Sequence, residues 1–346
     1  SSAGGNLGGD LRYCTFPRAD PTGHCGAKRL IPVSLVTGFL GSGKTSFIRR
    51  VLTQPGFGRT AVIVNEFGEI SLDHDLIASS DDKVLTLTTG CLCCAVQTDL
   101  ARTLMDLAER RKDGAVYDRV LIETSGLGNP GPMIQAMLTD RQVAGSHRVD
   151  RIVTLVDSVF GDTTLADHAE AREQVALADH ILISKEDLKP LSTQLHGAIR
   201  ASNPTAEMQS VSAATAETLF GSAAVDRQVR PALPAIANHR EIETFTLVRD
   251  QPLPALALTL LLQAIAEHCG SRLLRLKGLV ALEEMPGRPA VIHGVHHVFS
   301  APEFLDRWPS ADQTTRIVFI GRGIPRYFVH RLLSAIEDEV REAAAG

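Results

Sequence analysis

Gly38-Phe39-Leu40-Gly41-Ser42-Gly43-Lys44-Thr45 fits the pattern G-x-x-x-x-G-K-[ST] in full, the spacing that curls backbone N–H groups around phosphate oxygens. The glycines let the chain turn inward, and the start of the following helix adds a positive dipole end. In that arrangement Gly41, Ser42, Gly43, Lys44, Thr45 and Ser46 hold the phosphates of a nucleoside triphosphate. Lys44 neutralises β/γ oxygens, and the Thr45 hydroxyl ligates Mg²⁺. Context separates this from a Gly-rich turn that matches by accident. Val33, Leu35 and Val36 form an apolar strand before the loop, and Phe47, Ile48, Val51 and Leu52 an amphipathic helix after it.

A second group lies downstream in Glu123-Thr124-Ser125-Gly126. An acid at the end of a buried strand, followed closely by a glycine, can supply a Mg²⁺-shell carboxylate and an N–H that senses the γ-phosphate. Lys44, Thr45 and Glu123 are therefore the expected catalytic residues, and Gly126 the expected sensor. Leu127 stands where Ras-like GTPases carry a glutamine, and an apolar group cannot orient water. Hydrolysis is expected to be slow until a partner or the second subunit of a homodimer completes the site.

Guanine is read by a carboxylate that accepts from its N1–H and N2–H₂. Ser184-Lys185-Glu186-Asp187 follows the apolar run Ile181–Ile183, with Lys185 and Asp187 spaced for that role and Ser184 in place of the usual asparagine. Ser212 and Ala213, after the next strand, could offer a backbone N–H to O6. An aspartate so placed would meet an acceptor on adenine, so GTP is expected in preference to ATP. The competing reading is an exposed helix start in which Asp187 is a cap.

Gly90-Cys91-Leu92-Cys93-Cys94 sets three thiols beside a turn glycine. Soft thiolates on a loop suit Zn²⁺, Cu⁺ or Co²⁺, and zinc–thiolate sites are the commonest. Cys91, Cys93 and Cys94 would leave one exchangeable position, as a site that passes its metal on requires. Glu69, in the run Asn65-Glu66-Phe67-Gly68-Glu69 where a first switch would lie, could complete the set. The alternatives are three buried apolar thiols or a redox pair. Cys14, His24 and Cys25 could chelate near the N-terminus but are expected to be inert, and Cys269 to be structural. His293, His296 and His297 fall on one expected strand, where positions 293 and 297 share a face; they read as sheet-surface residues. Glu109-Arg110-Arg111-Lys112 reads as a solvated helix face.

Short apolar runs alternating with helical periods must position these groups. Strands are expected at 33–37, 60–65, 84–88, 119–123, 151–157, 180–184 and 208–211. Helices are expected at 44–52, 98–111, 130–138, 167–178 and 191–201. This order implies an α/β domain of the P-loop NTPase type, a parallel sheet with helices on both faces. The alternation stops near Gly221, and strands at 242–248, 273–282, 290–299 and 315–320 follow, with helices at 256–268 and from Pro325. That order predicts a smaller C-terminal α+β domain. The expected divisions are a flexible tail over 1–29, a nucleotide domain over 30–222, a linker over 223–238 and the second domain over 239–346.

A formal net charge of -5 gives no electrostatic footprint for nucleic acid or an anionic membrane. The longest apolar stretch, 255–266, is too short to cross a bilayer and reads as a buried helix. No apolar leader is visible and the thiols are clustered, so a reducing compartment, the cytoplasm, is expected.

Taken in order, these motifs resemble the CobW family of P-loop GTPases, relatives of the hydrogenase and urease nickel-insertion GTPases. Leu273-Leu274-Arg275-Leu276-Lys277-Gly278 and Val318-Phe319-Ile320-Gly321 resemble the CobW C-terminal domain. The resemblance covers about residues 31–337 and implies a GTPase metallochaperone. In such a protein metal sits on Cys91, Cys93 and Cys94. Adjacent switch segments couple it to GTP or GDP, and Zn²⁺ or Co²⁺ passes to an unidentified client metalloprotein. Family members are linked to zinc homeostasis, cobalamin synthesis and nitrile hydratase activation. Two rivals remain: a P-loop kinase acting on a small molecule, and a zinc-storing or zinc-sensing protein with incidental nucleotidase activity.

Overall fold

The first strands are buried almost throughout, and their side chains alternate between two cores, as a sheet covered on both faces requires. In β1 (Ile31–Gly38) Val33 and Leu35 enter one core, whereas Val36 enters another. β2 (Thr60–Val64) and β4 (Arg119–Glu123) repeat this, with Ile63 and Ile122 on the first side and Val62 and Leu121 on the second. The computed structural model describes residues 30–57, 59–64, 85–88, 96–112, 117–221 and 242–345. Cys91, Cys93, Cys94, Glu69, the tail thiols and the 223–238 linker lie outside them.

The remaining strands of this sheet are β3 (Leu85–Thr88), β5 (His147–Asp157), β6 (His180–Ser184) and β7 (Glu207–Ser210). Their order is β3-β2-β4-β1-β5-β6-β7, and every pairing is parallel. α1 (Lys44–Leu52) covers one face together with α8 (Ala216–Phe220). α2 (Val96–Lys112) and α3 (Gly131–Thr139) cover the other. After α4 (Arg141–Ala144), the helices α5 (Gly161–Asp167), α6 (Ala169–Leu177) and α7 (Thr193–Ser202) pack beside β5 and β6. The helices α4, α5 and α8 were not expected from sequence; each is short and shows too little periodicity to register. Arg110 and Arg111 are solvent-exposed, as a solvated helix face should be.

The second domain is a six-stranded antiparallel sheet of order β11-β10-β9-β13-β8, with β12 paired to β10. Its strands are β8 (Glu243–Arg249), β9 (Leu273–Val280), β10 (Ala290–Val295), β11 (Val298–Phe299), β12 (Glu303–Phe304) and β13 (Thr315–Gly321). α9 (Ala255–Cys269) and α10 (Arg326–Ala345) close its core, and Cys269 is buried there as a free thiol. α9 is not buried all round: Ala257, Leu258, Leu261 and Ile265 face the core, while Leu256 is 55% exposed. The expected strand 290–299 is instead a hairpin. His296 takes φ 52, and β11 turns back so that Val298 opposes Val295. His293 and His297 therefore share no strand face, and His296 is buried rather than on a sheet surface. No described helix is long and apolar enough to cross a membrane.

Candidate nucleotide site

The end of β1 runs into the loop Gly38–Gly43, which α1 then continues. Gly38 sits where a Cβ would lie 2.4 Å from Leu155 O of the neighbouring strand, so no other residue fits this close approach. Gly43 caps α1 in the left-handed region at φ 94, and the first helical bond runs from Phe47 N–H to Gly43 O at 2.9 Å. The Lys44 ammonium curls back onto the loop, donating to Gly38 O at 3.0 Å and Phe39 O at 3.3 Å. Ser42 is buried at the base of the loop, and Gly41 and Ser46 are exposed on its rim.

β4 runs beside β1 in register, Val36 opposite Glu123, which brings the second motif to the loop. Glu123 is 2% exposed, and its Oε1 accepts from Thr45 Oγ1 at 2.7 Å. Thr124 Oγ1 donates to Thr37 Oγ1 at 2.8 Å, and Thr124 N–H to Val36 O at 3.0 Å, fastening the two strand ends together. Gly126 follows in a turn closed by Gly128 N–H to Ser125 O at 2.9 Å. It presses on the phosphate loop, since a Cβ there would come within 2.8 Å of Leu40 N. Leu127 is 52% exposed beside it.

Lys185 leaves β6 at φ 60, and its ammonium lies 2.5 Å from Asp157 Oδ2 at the end of β5. Asp157 also accepts from Val159 N–H at 2.7 Å, so it ties together the turn that follows β5. Asp187 is exposed in the turn after Lys185, with Leu188 N–H bonded to Lys185 O. It is not a helix cap, because α7 begins at Thr193 under Ser192. Ser184 is buried and donates to Val156 O at 3.4 Å, linking β6 to β5 from the position where an asparagine was expected. Ser212 and Ala213 are exposed in the loop after β7. A cavity of about 210 Å³ opens among Phe39, Leu40, Asp157, Phe160, Gln174 and Lys185. The fold thus gathers the phosphate loop, Glu123, Gly126 and Lys185 around the ends of β1, β4, β5 and β6. Of the metal set only Thr45 is described, and no group of three or more His, Cys, Asp or Glu able to hold a metal occurs among the described residues.

Asp157, Gln174 and Arg50 belong to this neighbourhood and were not anticipated from the motifs. Asp157 carried one legible signal, an acid ending an apolar strand beside the nucleotide loop.

Comparison with known proteins agrees with this architecture in both halves. Residues 32–210 match the family described as CobW/HypB/UreG, nucleotide-binding domain. Residues 242–337 match the cobalamin synthesis protein cobW C-terminal domain. The zinc chaperone YjiA of Escherichia coli (strain K12) is 31% identical over 326 residues, covering 91% of this chain and 98% of the relative. The zinc chaperone CobW of Pseudomonas aeruginosa is 30% identical over 362 residues, covering 91% and 92%. The crystal structure of Zn(II)-bound YjiA GTPase from E. coli superposes with a TM-score of 0.71 at 24% identity, over 89% of this chain and 99% of that one. Matched in both domains, in order and over nearly its full length, the chain belongs to the CobW/HypB/UreG family and carries the cobW C-terminal domain.

Proposed function

We propose that this chain binds and hydrolyses GTP and couples that cycle to holding and passing on zinc or a related transition metal. The observation that carries the reading is the contact between Thr45 and Glu123 at 2.7 Å, set beside Lys44 in a complete phosphate loop. A hydroxyl and a carboxylate at this separation are hard oxygen donors, the set that suits Mg²⁺, so Thr45 and Glu123 would hold the ion. When bound, it would draw charge from the β and γ oxygens.

The chain's own groups do the rest. Lys44 exchanges the carbonyls of Gly38 and Phe39 for phosphate oxygens, which places its charge where negative charge develops during transfer. Gly126 offers its N–H toward the γ-phosphate. Leu127 cannot orient the attacking water, so turnover by the isolated chain is slow. Asp187, Lys185, Ser212 and Ala213 select the guanine base. Relatives 30–31% identical over most of their length are zinc chaperones, which supports zinc as cargo. Cys91, Cys93 and Cys94 supply the thiolates for it, with Glu69 as a further ligand. The client is a metalloprotein that accepts the released ion.

The test is product analysis. GTP incubated with the protein and Mg²⁺ should yield GDP and free phosphate, and Lys44→Ala should lower that rate at least roughly a hundredfold. Phosphate found on a small-molecule acceptor instead would make the protein a kinase. A rate indifferent to Lys44→Ala would remove the site altogether.

A further inference from the structure

One turn of α6 faces the loop that follows β4. Gln174 on that turn is 1% exposed, and its amide nitrogen donates to Gly126 O at 3.1 Å and to Gly128 O at 3.0 Å. Carbonyls only accept, so the nitrogen must face them, and both amide hydrogens are spent on this one loop. The cost falls on the other end of the amide: Gln174 Oε1 is buried with no hydrogen-bond partner among the described residues. A side chain that merely filled the space, such as Met or Leu, would avoid that cost. The amide serves to hold the loop.

Glu173, its neighbour, extends the bracket in two directions. One oxygen accepts from Asn129 Nδ2, and the other is paired with Arg322, the residue after β13 of the second domain. Asn129 Oδ1 in turn accepts from Gly131 N–H at 2.8 Å, so the loop from Ser125 to the start of α3 is fixed along its length. Gly131 is itself covered from the second domain, since a Cβ there would lie 2.5 Å from His296 Nε2. Further along α6, Ala176 packs with Ile242, Leu274, Val318 and Ile320, and Leu177 O accepts from Arg275. One short helix therefore grips both the Gly126 loop and the second domain's sheet.

Gly126 has no slack in this bracket. Leu40 of the phosphate loop is in contact on one side and Gln174 holds its carbonyl on the other. A displacement of Gly126 on exchange of GDP for GTP must break the bonds to Gln174 or carry α6 with it.

We propose that Gln174 and Glu173 are positioning residues for hydrolysis, Gln174 setting Gly126 against the γ-phosphate and Glu173 passing movement of that loop to β13. This rests on the reading that the site hydrolyses GTP. The test uses the full chain in hydrogen–deuterium exchange with GDP or a non-hydrolysable GTP analogue, alongside steady-state hydrolysis. In the wild type, residues 38–45, 125–131 and 315–321 should all exchange differently in the two nucleotide states. Glu173→Gln should keep the first two responses and lose the third, and Arg322→Met should do the same from the far side. Gln174→Met should lower kcat roughly tenfold while KM for GTP stays within about twofold, since it misplaces a transition-state contact. A wild-type strand 315–321 indifferent to nucleotide would overturn the proposal. So would a response there that survives both Glu173→Gln and Arg322→Met, or an unchanged kcat in Gln174→Met. Residues 38–45 that ignore nucleotide in the wild type would refute the GTP reading itself.

Discussion

His147 stands at the start of β5, 2% exposed, with Nδ1 2.9 Å from Ser146 Oγ and Nε2 lacking a hydrogen-bond partner among the described residues. Burial lowers its pKa to about 4, and the nearby charge of Arg111 pushes the same way. The unfolded chain protonates this ring near pH ~6.5. The folded state favours the neutral ring, so stability is fully present above that value and falls as the pH drops toward 4. Urea melts at pH 7 and pH 5 should show the wild type losing on the order of 1–2 kcal/mol more than His147→Gln, after allowing for solvent screening. Equal losses would mean that His147 is already hydrated in the native state. Nothing in the sequence marked this ring: the strand was expected only over 151–157, whereas β5 begins at His147.

At the scale of elements, α1 does more than follow the phosphate loop. Arg50 donates to Val211 O at 2.5 Å and Ala214 O at 3.2 Å, and Gln54 Oε1 accepts from Ala216 N–H at 2.7 Å. The helix that follows the phosphate loop, with the turn after it, therefore also pins the loop expected to read the base. Arg50→Ala should raise KM for GTP roughly tenfold and narrow the preference over ATP, with kcat little changed. Steady-state kinetics with both nucleotides checks this, and a fall in kcat at unchanged KM would contradict it. The strand expectations at 119–123 and 180–184 and the helix at 44–52 agree with the fold residue for residue, because each joins a strong apolar period to a motif or a turn. The 290–299 hairpin was illegible because its turn is built from His296 and His297, without the Gly, Asn or Asp that usually announces one.

Across the whole molecule, the domains are joined by charge as well as by packing. Asp179, just before β6, accepts from Ile152 N–H at 3.0 Å, from Arg275 and from Lys277 at 3.2 Å. Burial alone would raise its pKa, but the Arg275 guanidinium and the Lys277 ammonium more than offset that and hold it well below the usual carboxylate range. Asp179→Asn removes the carboxylate that the largely buried Arg275 and Lys277 share and should cost about 3–5 kcal/mol in a urea melt. A cost below about 1 kcal/mol would mean that water already screens the cluster. Arg275 and Lys277 share one face of an apolar strand, a spacing present in the sequence but not read there as needing a buried acid. Which acid answered it was not visible, because the partner lies 96 residues away in the other domain. That the phosphate loop, Glu123 and Gly126 come together was legible because they fall in contiguous motifs at strand ends. Gln174, Glu173 and Arg322 were not, because their role exists only where α6 crosses the loop.

The central claim is that metal handling and nucleotide state are coupled, and a chelator-competition titration tests it most directly. Zn²⁺ and Co²⁺ would be titrated against the protein loaded with GDP or a non-hydrolysable GTP analogue, with Cys93→Ser as control. A linked switch predicts metal affinities that differ between the two states by about fivefold or more, with binding that disappears in Cys93→Ser. Equal affinity in both states would contradict the coupling and leave a zinc-storing protein. Binding that persists in Cys93→Ser would remove the cysteine loop from the account.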